Sequence, residues 1–183
     1  MNCLNNLTIK HILCLILALG FSIGAYAAKS DGPSGLDAKS FKKYWHVESE
    51  SPDYKVTFNG DTATIFAPKG LTLWRNEKMS GNTTIEYDAS ICDTGKEGDR
   101  LSDLNCFWMA SDPKSPNNLR KRESWRKGIF VNCYSLQLYY LGYGGNHNST
   151  TRFRRYDGNE AGITDESARP KILKEYTDPA HLL

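Results

Sequence analysis

The chain has 183 residues, 23 Lys+Arg against 21 Asp+Glu, 39% apolar and 11% aromatic residues. A formal net charge of +2 is too small to build a nucleic-acid surface or a polybasic membrane surface, and the aromatic content excludes a disordered chain. The length suits one domain, and no repeat or heptad run points to a solenoid or a coiled coil.

Residues 1–27 read as an export signal. Lys10 and His11 precede an apolar run from Ile12 to Ile23, and Ala25-Tyr26-Ala27 supplies a small-x-small cleavage pattern. The run falls short of the roughly 20 residues that cross a bilayer, with an uncleaved anchor as the alternative. The expectation is export to the periplasm or the exterior, with no membrane span after cleavage. Cys92, Cys106 and Cys133 remain in the mature chain. At most one bridge can form among them, and Cys92 with Cys106 closes a short loop. Three buried thiols packing as small apolar groups are the preferred reading. No cysteine pair has metal-ligand spacing, and His46, His147 and His181 stand far apart, so no zinc site is expected.

Residues 28–40 are small and polar, and read as a flexible leader to a β-sandwich over residues 41–183. Tyr54 to Phe58 and Thr62 to Phe66 alternate about Asn59-Gly60, a hairpin signal of the type I′ kind. Leu71 to Trp74 reads as a short strand. Thr83 to Ile91 alternates, with Ile85, Tyr87 and Ala89 on one face and Glu86 and Asp88 on the other. Asp93 to Asp103 reads as a loop, Cys106 to Ala110 as an aromatic strand, and Asp112 to Ser124 as a long basic loop. Gly128 to Tyr143 reads as one bent strand or two, and Thr151 to Tyr156 as another after the Gly/Asn turn 144–149. Helical spacing is convincing nowhere after Ser30. Short strands between Gly/Asn turns imply an all-β sandwich or jelly roll.

The densest chemistry lies in Tyr139 to Tyr156, with four tyrosines, three arginines, His147, Asn146 and Asn148. Rings that cover sugar C–H faces, amides that bond hydroxyls and Arg forks that bind carboxylates suit a glycan surface. A plain hairpin with solvated arginines is the alternative. Tyr140, Asn146, Arg152 and Arg154 are candidate substrate-binding residues, and Tyr143 and His147 are candidate catalytic ones. Asn105 and Trp108 could line the same groove, with turn chemistry and core packing as the plain alternative. Glu86 and Asp88, two apart on one strand face, could serve a glycosidase, bind substrate or hold a Ca²⁺ ion. A retaining hydrolase of the Glu-x-Asp-x-x-Glu type is not expected, because Ile91 stands where its second Glu belongs. The run Arg120-Lys121-Arg122 with Arg126 and Lys127 reads as a solvated loop, or as an attractor of anionic polysaccharide.

Residues 100–113 (RLSDLNCFWMASDP) and 138–158 (LYYLGYGGNHNSTTRFRRYDG) resemble an exported bacterial domain family of unknown function. The resemblance implies a concanavalin A-like lectin/glucanase jelly roll from polysaccharide-utilisation proteins. Such domains continue past a segment like Asp178–Leu183, so it also implies a domain lacking its final strands. Tyr140, Gly142, Tyr143 and Asn146 are loosely similar to a motif of alginate-type lyases. In such a lyase Arg152, Arg154 and Asn146 would hold a uronate carboxylate while Tyr143 or His147 moves the C5 proton. The expected function is therefore an exported polysaccharide-active protein, a lyase on uronate glycan. The alternative is a non-catalytic carbohydrate-binding module of the same fold, and a partner-binding sandwich is a third reading. No organic cofactor is expected.

Overall fold

The computed structural model describes residues 37–60, 62–96 and 99–177. The signal and most of the leader, with His181 and the C-terminal segment Asp178–Leu183, lie outside these residues. The described residues are predominantly β, built of antiparallel strands with no barrel among them, which is the all-β composition of a sandwich.

Its described residues fall into two compact units. One comprises 37–46, Val56–Thr64 and Trp74–Ala89; the other comprises Val47–Lys55, Ile65–Leu73 and 90–177. A short helix, α1 (Ala38–Tyr44), opens the first unit where a flexible leader and then strand were expected. Asp37 accepts from the Lys39 and Ser40 backbone N–H groups, which satisfies two of the helix's orphan donors, and from the Ser40 hydroxyl. These bonds hold the Asp37 carboxyl below its usual range. Phe41 then packs on Phe58 with ring centroids 5.3 Å apart.

Strands β1 (Trp45–Ser49) and β4 (Leu71–Arg75) form one two-stranded sheet, and β2 (Lys55–Asn59) and β3 (Thr62–Phe66) form another. The latter is the hairpin expected at Asn59-Gly60. Gly60 has φ +58° while Asn59 is not among the positive-φ residues, so Asn59 closes the strand and is not a central residue of a type I′ turn. Thr83–Ile91 is not a strand: despite its alternation it joins no ladder and is almost wholly exposed. Alternation fits a strand only where a neighbour takes up its backbone hydrogen bonds.

The second unit centres on four antiparallel strands in sequence order: β5 (Leu104–Ser111), β6 (Gln137–Gly144), β7 (Thr150–Asp157) and β8 (Lys171–Tyr176). The first half of the expected strand at Gly128–Tyr143 is instead a 3₁₀ turn over Phe130–Ser135. Its bonds run Asn132 N–H to Ile129 O (3.0 Å) and Leu136 N–H to Cys133 O (3.0 Å), and such short turns carry no 3.6-residue period to read. Strand β8 was not foreseen. All six of its residues are exposed.

Period two and the β5–β6–β7 register sort the side chains into two faces. Phe107 faces Tyr140, Tyr140 faces Arg154 and Leu138 faces Tyr156 on one face; Trp108 faces Tyr139 and Tyr139 faces Arg155 on the other. The first face is the buried one. Leu138, Tyr140 and Tyr156 are 3%, 5% and 2% exposed. The 3₁₀ turn covers it: Tyr134 meets Tyr156 edge-on at 5.3 Å, and Phe130 meets Tyr140 at 5.5 Å. Cys133 is buried here, and burial pushes its thiol up to about 12. Of the three cysteines only Cys133 is fully buried; Cys92 and Cys106 are half-buried, which corrects the expectation of three buried thiols.

Candidate functional site

Four of the sequence-derived residues converge on the buried face: Asn105 from β5, Tyr140 from β6, and Arg152 and Arg154 from β7. Asn105 lies opposite Gly142, and Gly142 opposite Arg152, so one row crosses three strands. The Tyr140 ring lies along its own strand over Gly142, and its hydroxyl donates to Asn105 Oδ1 at 2.9 Å. The Arg154 guanidinium carbon stands 6.0 Å from the centroid of that ring, within cation–π range. Arg154 Nε is buried and has no hydrogen-bond partner among the described residues. Arg152 pairs with Glu175 of β8 at the more open end of the row.

Burial drives the Tyr140 hydroxyl well above the ordinary phenol range, against a smaller opposing pull from Arg154. Desolvation acts the same way on Tyr156, whose hydroxyl is buried without a partner among the described residues. The row therefore holds a guanidinium paired with Glu175, a second guanidinium at Arg154 and a neutral phenol on one partly desolvated surface. Such a surface can accept an anion or a set of hydroxyls.

The remaining sequence-derived residues lie elsewhere, and the expected single groove is corrected accordingly. Tyr143 projects to the other face, opposite Leu104, and Trp108 shares that face. The sheet itself separates Tyr143 from the two arginines. Asn146 and His147 are exposed in the β6–β7 turn, where they and Asn148 have φ of 51°, 58° and 61°. Three successive non-glycine residues in the left-handed region are unusual. The Asn146 amide is tied to Thr150 Oγ1 at 3.2 Å, inside the turn. Glu86 and Asp88 are exposed on the irregular segment of the first unit and share no strand face. Tyr143 and His147 thus do not join Arg152 and Arg154 in one centre.

The basic loop is also corrected. Arg126 is fully buried; it donates to Glu48 Oε2 at 2.9 Å and Oε1 at 3.2 Å, to Asp112 Oδ2 at 3.4 Å and to Leu119 O at 2.8 Å. Arg122 continues the chain of charges to Asp112 and to Glu160, which Lys114 also reaches at 2.6 Å. Arg122 and Arg126 are thus held by carboxylates, while Arg120, Lys121 and Lys127 stay exposed as the solvated-loop reading expects. Sequence reading missed the network because Glu48 lies 78 positions from Arg126.

Among the described residues no group of three or more His, Cys, Asp or Glu side chains is placed to hold a metal ion, and no helix is long and apolar enough to cross a membrane. Comparison with curated proteins finds no match, and neither does comparison with solved structures. A family model described as Domain of unknown function (DUF6250) matches residues 65–183. That span holds the whole four-stranded sheet and most of the chain, so the protein belongs to the DUF6250 family.

Proposed function

We propose that this is an exported carbohydrate-binding domain that takes an acidic glycan on the Asn105–Tyr140–Arg152–Arg154 row. The observation that carries the reading is the buried Arg154 Nε–H without a partner, beside a second arginine. A buried donor is costly to leave unmade, and a uronate carboxylate supplies its acceptor. Asn105 offers an amide to ring hydroxyls. The signal-like residues 1–27 support export, and the resemblance of residues 100–113 and 138–158 supports a concanavalin A-like jelly roll.

One observation favours a lyase instead: the Tyr140 hydroxyl stands on the same face as both arginines. Its upward shift through burial opposes the tyrosinate a base requires, so binding is the conclusion. Calorimetric titration with polyuronates tests it. Binding is expected, with Arg154→Ala weakening it about tenfold or more, the scale of a lost charge-assisted bond. No binding to any polyuronate overturns the reading, and accumulation of unsaturated uronate product replaces it with the lyase.

A further inference from the structure

We infer that the opposite face of the four-stranded sheet carries a second glycan subsite, one built for a neutral sugar. It stands on different residues from the acidic-glycan row and fails or survives independently of it.

Trp108, Tyr139 and Phe153 come from three successive strands and meet on this face. Their ring centroids are 5.7–5.9 Å apart, and their planes lie within 22° of one another. The three rings thus share one orientation. They are half-buried, whereas the side chains closing the core, Leu138, Tyr140 and Tyr156, are on the other face. The rings stack on one another and keep part of their surface exposed, and pyranose C–H groups pack on such aromatic surface.

Tyr139 also forms one wall of a cleft of about 260 Å³ that Ser111, Gln137, Arg155 and Asp157 line and that also touches Leu138 and Tyr156 of the core side. That is below the usual span of roughly 300–1,000 Å³ for drug-sized ligands, and suits a single sugar ring. The polar set holds both hydrogen-bond senses. Arg155 donates, Asp157 accepts, and Ser111 and Gln137 do either. One cation and one anion leave no net charge to favour a carboxylate, which is the contrast with the arginine row. The side chains are held in place beforehand: Gln137 Nε2 donates to Asp157 O at 3.4 Å, and Asp157 Oδ1 accepts from Asn159 N–H at 3.0 Å. Met109 shapes the mouth. The β5–β6 register slips between Trp108 and Ser111, and Met109 takes φ +56° with 76% of its surface exposed. Bulges of this kind redirect side chains beside binding sites.

The test uses the full chain and a panel of uncharged oligosaccharides (gluco-, manno-, xylo- and galacto-configured hexamers) in calorimetric titration. At least one should bind. Arg155→Ala, at an exposed position, and Trp108→Ala should each weaken that binding about tenfold or more, while Arg154→Ala should leave it unchanged. The converse pattern is expected with polyuronate. Absence of binding across the neutral panel overturns the subsite. So does neutral binding that survives Arg155→Ala, or a self-association that Arg155→Ala abolishes without any sugar binding.

Discussion

The Tyr140 ring lies so close over Gly142 that a Cβ at position 142 would fall 2.1 Å from Tyr140 Oη and 2.6 Å from its Cζ. Only a residue without a side chain lets the ring lie flat and reach Asn105. Gly142→Ala must therefore push a buried ring off its hydrogen bond. The expected cost is about 1–3 kcal/mol, the range for overpacking, read by urea denaturation, together with weaker polyuronate binding. Gly60→Ala is the control: nothing lies within 4 Å of its added Cβ, and only its φ of +58° is strained. It should cost about 1–2 kcal/mol and leave binding intact.

Removing the carboxylate at Glu48 leaves a guanidinium that is 0% exposed with Asp112 and the Leu119 carbonyl as its remaining acceptors. Glu48→Ala should lower stability by about 3–5 kcal/mol, because Arg126 loses its bidentate partner. The exposed Arg120–Glu123 pair is the contrast, and Arg120→Ala should change stability by less than about 1 kcal/mol. Equal effects from the two variants in denaturant titrations would contradict the buried network.

Glu160 supplies a pH dependence of known sign. Its hydrogen bond from Lys114, helped by Arg122, holds the carboxyl below the usual glutamate range. A depressed folded-state value means that the folded chain binds fewer protons than the unfolded one. The stabilisation is present above the unfolded value of about 4.3 and is lost as pH falls through the folded value. Unfolding free energy measured at acid pH should fall less steeply for Glu160→Gln than for the native chain.

The Cys133 thiol is 1% exposed and pushed up to about 12 by burial, so it stays protonated at pH values where free cysteine ionises. Alkylation of the native chain near pH 8, followed by peptide mass analysis, should leave Cys133 unmodified. Adding denaturant should expose it. Labelling of Cys133 at the same rate with and without denaturant would contradict its place in the core.

Much of the four-stranded sheet was legible. Cys106–Ala110 and Thr151–Tyr156 read as strands inside β5 and β7, and the β2–β3 hairpin appeared at Asn59-Gly60. Alternation also placed Tyr140 and Tyr143 on opposite faces of β6, a signal that grouping them by density alone passed over. The register of the β6–β7 turn was not legible. It sets Gly142 opposite Arg152 and so puts both arginines on Tyr140's side. Thr83–Ile91 shows the converse, a strand pattern with no ladder to join.

What the residues alone determined is local: the two-residue period inside β2, β3, β5 and β7, and the turns at Gly60 and Gly144. The tertiary structure decided which face of the sheet is core and which is open, and that Arg126 is buried and not solvated. A strand's alternation defines two sides without ranking them. The ranking comes from the 3₁₀ turn that covers one side and from partners such as Glu48, far along the chain, and no local pattern contains those contacts.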